Sequence, residues 1–143
     1  MPVPRAAARK LRCSATAQKD CRHAGITATG AQAPLFEAAW VQPGTHISAM
    51  GADAPGKQEL PAALLAHARL FCDLPAQSRL IGEFQHAPTA AVPVALGDVL
   101  AGRLPGPAHA DDITVFDSSG TALQDLVLAE ALLAAHAAAL AAD

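Results

Sequence analysis

The sequence has no tyrosine, a single tryptophan (Trp40) and four phenylalanines among its 143 residues. A core built on aromatic side chains is excluded, and packing has to come from Ala, Leu, Val and Ile. The three cysteines, Cys13, Cys21 and Cys72, are odd in number and form no C-x-x-C. A disulfide framework is therefore set aside, and free thiols fit a reducing cytoplasm. The six histidines are scattered and none stands at ligand spacing from a cysteine, so no metal site is expected. There is no G-x-S-x-G, and neither Ser14 nor Cys21 has a base at a recognisable spacing; nucleophilic hydrolysis has no support. The N-terminus carries no signal-peptide apolar segment. The C-terminal run 126–142 is apolar but mostly alanine, and Glu130 and His136 interrupt it. It reads as too weak for a membrane span, and no membrane partner is expected.

Charge is unevenly placed. Six of the ten basic residues, Arg5, Arg9, Lys10, Arg12, Lys19 and Arg22, precede Ala24, where only Asp20 opposes them; beyond it, four basic residues face twelve acidic ones. This marks a boundary near Ala24. Pro2 and Pro4 interrupt any amphipathic helix, and no aromatic interleaves the charges, so residues 1–24 read as a solvated basic leader rather than a nucleic-acid arm or transit peptide.

From Ala24 onward, short β-like and helical runs alternate. Strands are predicted at 26–29, 45–50, 69–73 and 113–117. Helices are predicted at 34–41, 61–68, 76–84 and 96–101, with a long one at 121–142 that opens with Thr121 and Gln124 at capping-box spacing. This order predicts an α/β fold with a parallel sheet of about four strands. Three strands run into a carboxylate, Asp53, Asp73 or Asp117, and parallel strands would put all three, with Ser118, on one edge. Ligands of such sheets bind outside the carboxyl ends of the strands. The last helix is apolar around its circumference, which predicts burial against something more than this chain, either further polypeptide or a second subunit.

Two segments carry candidate chemistry. In Gly51-Ala52-Asp53-Ala54-Pro55-Gly56-Lys57, the Gly, Asp, Pro and Gly suit a tight turn, and Asp53 beside Lys57 also suits a general acid/base. Ser118, Ser119 and Gly120 suit a helix cap, or a polar cradle whose free N–H groups receive an anionic substrate or a cofactor. His46, His86 and Cys72 read as structural.

The stretch 44–60, with Phe116-Asp117-Ser118-Ser119-Gly120-Thr121-Ala122-Leu123-Gln124-Asp125, resembles motifs of the ornithine cyclodeaminase/mu-crystallin family, which includes cyclic-imine reductases. Gln32–Phe36, Gly82–His86 and Ala101-Gly102-Arg103 add to the likeness. The resemblance implies a partial Rossmann-like sheet, the second half of a dinucleotide-binding domain. Residues 25–120 would form that part, and 121–143 a helix packing on a missing domain or subunit. It implies NAD or NADP as cofactor, with Thr27 (or Thr29), Met50, Gly51, Ala52, Asp53, Lys57 and Ser118 beside it. Asp53 would be the proton shuttle, and Ser118 and Ser119 would contact a small amino-acid or cyclic imino-acid substrate. Homo-oligomers are expected of the intact family. Full-length members are about twice this length or more. The ten glycines here never stand two apart, so the Gly-x-Gly turn that seats a pyrophosphate on a helix N-terminus is missing. The alternative expectation is a non-catalytic remnant or an oligomerising fragment.

Overall fold

The computed structural model describes residues 24–140. The basic leader, Cys13, Cys21 and Ser14 lie outside them, apart from Ala24 itself. The described chain forms one sheet of five strands: β1 (Ala24–Thr27), β2 (His46–Ala49), β3 (Arg69–Cys72), β4 (Val94–Ala95) and β5 (Thr114–Asp117). Every pairing is parallel and the order across the sheet is β1-β2-β5-β3-β4. Parallel neighbours need crossover connections. These are supplied by a 3₁₀ turn (Ala38–Trp40), helix α1 (Ala62–Leu65), helix α2 (Pro75–Leu80) with a second 3₁₀ turn (Glu83–His86), and helix α3 (Leu96–Leu100). Helix α4 (Ala122–Leu140) follows β5.

The register sorts the side chains into two faces. Gly25, Ile47, Val115 and Leu70 stand in one row across β1, β2, β5 and β3. Ile47, Val115 and Leu70 pack with Leu60, Leu64, Leu65 and Phe84 into the buried core. The alternating row His46, Thr114 and Arg69 belongs to the other face. There Phe71 and Thr114 are buried, whereas Ile26 on β1 is 76% exposed. Parallel sheets are normally covered on both faces; among the described residues, cover on the second face is incomplete towards β1.

The α/β class, the parallel sheet and the four expected strand positions agree with the structure, with boundaries shifted by up to two residues. The fifth strand, β4, is a correction. Its two residues follow Pro93 directly and run straight into α3, too short to leave a period-two signal. The helix expected at 34–41 is only the 3₁₀ turn. The helix expected at 76–84 breaks at Ile81–Gly82, because that segment closes against Asp117: a Cβ on Gly82 would collide with the Asp117 carboxylate and with Ser78. Helix α4 has no buried residue, and Leu126, Leu128, Leu132 and Leu133 all face outward from the described chain. By length and composition alone it could cross a membrane.

Candidate functional site

Since all five strands are parallel, their carboxyl ends share one edge, and main-chain bonds tie neighbouring exits together. Met50 N donates to Thr27 O (2.8 Å), Ser118 N to Ala49 O (3.0 Å) and Asp73 N to Asp117 O (3.4 Å). Thr27, Met50 and Ser118 thus gather at three adjacent strand ends. Met50 is 45% exposed, whereas Ala52 is fully buried, main chain included.

Behind this edge lies a buried carboxylate. Glu59 has no exposed surface and each of its oxygens accepts two donors. Oε1 takes Thr29 N (2.6 Å) and Thr29 Oγ1 (2.8 Å); Oε2 takes Thr27 Oγ1 (2.6 Å) and Gly51 N (2.9 Å). Four donors replace the water that a buried anion loses. Gly51 is required here by close approach to the protein itself: a Cβ would meet Thr29 O and the Glu59 carboxylate. A second buried carboxylate, Glu83, accepts Glu59 N (3.0 Å) and Leu60 N (2.7 Å). Burial raises the Glu83 carboxyl above its ordinary range, and those two main-chain donors oppose the rise.

The Asp53 turn is held from below. Gln85 Oε1 accepts Gly56 N (2.8 Å), and Gln85 Nε2 donates to Ala54 O (3.3 Å), Lys57 O (3.3 Å) and Gly82 O (2.9 Å). His86 Nε2 lies 2.8 Å from Lys57 O; because a carbonyl only accepts, this nitrogen carries the proton. Gly56 adopts φ +80°, a left-handed conformation that favours glycine. The turn presents the Asp53 carboxylate to solvent, where it pairs with Lys57. The hydrogen bond from Lys57, then its charge, holds the Asp53 carboxyl below its ordinary value. Asp53 therefore presents an ionised carboxylate to solvent.

Ser118 and Ser119 are nearly buried and donate their hydroxyls to Asp73, at 3.2 and 3.4 Å. Asp73 also accepts Gly120 N (3.1 Å) and Leu74 N (2.8 Å), and Gln77 Nε2 donates to Ser119 Oγ (3.0 Å) and Gly120 O (2.6 Å). Two of the N–H groups expected to be free for an anion, those of Ser118 and Gly120, are thus engaged within the protein. The start of α4 is capped instead by Gln124 Oε1, which accepts Thr121 N (3.4 Å), as the spacing predicts. An open, mainly apolar cavity of about 320 Å³ adjoins this loop, with Asp73, Leu96, Phe116, Thr121 and Gln124 in its wall.

Asp117, at the end of β5, is fully buried. Oδ2 accepts the Ser78 hydroxyl, while Oδ1 has no partner among the described residues. Burial, opposed by the Ser78 bond, pushes its carboxyl up to about 6. Burial likewise pushes the Cys72 thiol up to about 12, which makes it inert at neutral pH. His46 bonds Thr114 Oγ1 (2.8 Å) on the far face of the sheet. Among the described residues, no group of three or more His, Cys, Asp or Glu side chains could hold a metal ion.

Asp53, Asp73, Asp117 and Ser118 all stand at or beyond the carboxyl ends of their strands, as predicted. Asp73 joins Ser118 and Ser119, whereas Asp53 pairs with Lys57 and stays at the rim. Sequence reasoning missed Glu59, Glu83, Gln77 and Gln85. A signal was present for the two acids: each interrupts an otherwise apolar or turn-forming segment, beside Leu60 and Phe84 respectively, where a carboxylate is retained only if donors surround it.

The sequence profile of the ornithine cyclodeaminase/mu-crystallin family matches residues 7–137. The chain is 46% identical to the iminosuccinate reductase of Paracoccus denitrificans over 113 residues, which is 76% of this chain and 35% of that enzyme. The crystal structure of that reductase in complex with NAD+ superposes with a TM-score of 0.72 at 44% identity, covering 77% of this chain and 35% of the other. The chain is 39% identical over 111 residues to the alanine dehydrogenase of Archaeoglobus fulgidus, covering 73% of this chain and 34% of the relative. It is 39% identical over 100 residues to the ornithine cyclodeaminase of Brucella suis, covering 70% and 28%. It therefore spans about a third of the length of the relatives it matches.

Proposed function

The chain belongs to the ornithine cyclodeaminase/mu-crystallin family, and on that premise we propose that it is the catalytic-edge portion of an NAD(P)-dependent enzyme acting at the carbon–nitrogen bond of a small amino or imino acid. One form of the chemistry converts ornithine to proline with loss of ammonia. The other reduces a cyclic ketimine such as Δ1-pyrroline-2-carboxylate. The observation that carries the reading is the ionised, exposed Asp53 on a braced turn beyond β2. Residues 25–120 supply part of the cofactor-binding domain, and 121–143 the helix that packs on a further domain or subunit of a cytoplasmic homo-oligomer.

The residues at the edge suit the nicotinamide end of the cofactor. Thr27, Met50 and Ser118 converge at adjacent strand ends, with Gly51, Ala52, Asp53 and Lys57 in the loop beside them. Bound there, NAD(P) supplies hydride uptake or return. The chain's own residues do the rest. Asp53 takes the proton of the substrate amine during oxidation and returns it in the reverse direction. Lys57 keeps Asp53 ionised between turnovers. Ser118 and Ser119 line the substrate side. The pyrophosphate has no Gly-x-Gly turn in this sequence, so the chain alone is expected not to reach micromolar affinity, roughly −8 kcal/mol, for NAD(H) or NADP(H). Calorimetry checks this.

The test of the reading uses a full-length chimera in which this chain's matching residues replace those of the Paracoccus denitrificans reductase. Asp53→Asn should leave cofactor affinity nearly unchanged and lower turnover by about 10²-fold or more. Near-normal turnover would leave Asp53 as a turn residue, since Asn serves a turn equally well. A second reading, a non-catalytic remnant or interaction fragment, is favoured by the full exposure of α4; an inactive chimera that is folded and binds cofactor would support it.

A further inference from the structure

Two loops flank the proposed reaction site. One leaves β1 through Thr27 and Thr29 on the cofactor side; the other leaves β2 through Gly51 towards Asp53. The strand exits are joined by the main-chain bond from Met50 N to Thr27 O, and beyond it one side chain bridges the two loops. The Glu59 carboxylate bonds Thr27 Oγ1, Thr29 N and Thr29 Oγ1 in the first loop and Gly51 N in the second, all at 2.6–2.9 Å. It is fully buried, and among the described residues the side chains that bond it are those of the two threonines. Its own position is fixed from the main chain by Glu83, which accepts Glu59 N and Leu60 N. We propose that Glu59 is a positioning residue for the reaction: it fixes the Asp53 turn relative to the cofactor-side loop, and the proton acceptor is in reach of the reacting nitrogen only while both oxygens are held. This inference rests on the functional reading given above.

The donor pattern makes a specific claim. Each carboxylate oxygen accepts one main-chain N–H, Oε1 from Thr29 and Oε2 from Gly51. A glutamine has one oxygen and one NH₂ group. Either way round, its NH₂ faces a main-chain N–H that cannot turn away, so one of the two loops loses its tie to the side chain although the side chain keeps its size. The threonine hydroxyls, which can rotate, adapt. Glu59→Gln should therefore uncouple the loops without emptying the core. A displacement of about 1 Å at the reacting groups is enough for a loss near 10²-fold.

The test is a double-mutant cycle in the chimera. Glu59→Gln should lower kcat by about 10- to 100-fold with substrate KM within about threefold. In an Asp53→Asn background the same change should cost less than about threefold, because two residues that act through one group are not additive. Thr27→Val, which removes one hydroxyl and keeps the shape, should show the same non-additivity at smaller size, and it carries the test if Glu59→Gln does not fold. A loss of kcat that multiplies independently with that of Asp53→Asn, or no loss of kcat, overturns the proposal. If Asp53→Asn alone leaves turnover unchanged, the functional reading has failed. If Asp53→Asn is slow and Glu59→Gln is not, this inference alone has failed. In the present chain, the amide proton resonances of Thr29 and Gly51 should sit downfield, and one of them should move upfield in Glu59→Gln; two unmoved resonances would also overturn it.

Discussion

The carboxyl edge of the sheet and helix α4 are built from the same chain and solve the burial problem in opposite ways. At the edge, three fully buried acids, Glu59, Glu83 and Asp117, are held among main-chain N–H groups and hydroxyls, and every loop that carries a candidate site residue is tied to another. Along α4, nineteen residues contain no buried side chain, and Leu126, Val127, Leu128, Leu132, Leu133 and Leu140 are all more than half exposed. The edge is self-contained and its geometry follows from contacts within residues 24–120. The helix is complete only as an object; an isolated helix of this length is marginal in water even when rich in alanine, so its stability has to come from surfaces that these residues do not supply.

The largest effect separating the two regions should come from the core beneath the edge. Phe84 is fully buried beside Glu83 and the Leu60–Leu65 cluster; Phe84→Ala should cost about 3–5 kcal/mol, read by chemical denaturation. A comparable cost from Leu133→Ala, on the exposed helix, would break the distinction.

Next comes Asp117. Its ordinary value of 3.8 rises to about 6 in the fold, so between those limits the folded state binds more protons than the unfolded one, and stability falls as pH rises. The penalty, fully developed above about pH 6, is on the order of 3 kcal/mol at about 1.4 kcal/mol per pH unit. Asp117→Asn, similar in shape and uncharged, should flatten this dependence and stabilise the protein at pH 7.5 relative to pH 4.5. A variant with an unchanged pH profile would assign the dependence to Glu83, whose carboxyl is raised in the same direction.

The smallest effects should lie on α4. Leu126→Ala and Leu133→Ala should each shift the stability of this chain by no more than about 0.5 kcal/mol. In the full-length chimera, if a further domain or subunit covers the helix as proposed, the same changes should cost about 2–5 kcal/mol. Equal values in both settings would mean that the helix never finds a partner.

Much of the edge was legible because topology and chemistry point the same way. A strand that runs into a carboxylate, repeated at Asp53, Asp73 and Asp117, becomes a row of acids once the strands are parallel, and Thr121 with Gln124 announces the helix start. Less visible were interactions that depend on long-range register. Glu59 meets Thr27 and Thr29 across about thirty residues, and no local pattern encodes that meeting. Nor could the sequence tell that Ser118 and Gly120 donate their N–H groups within the protein, since that depends on β5 lying between β2 and β3. Strand β4 escaped because two residues carry no periodicity, and the short helices were overdrawn because apolar spacing continues past Leu65 and through Gly82, where regular structure has already ended.

Amide hydrogen exchange on this chain tests most directly whether the edge is a finished scaffold and the helix is not. The amides of Thr29, Gly51, Leu60 and Ser118, each bonded to a buried carboxylate or a neighbouring strand, should exchange only with global unfolding, whereas those of residues 126–138 should exchange through local fraying at free energies near zero. Protection along α4 equal to that of the core, or rapid exchange at Thr29, Gly51 and Leu60, would contradict the account.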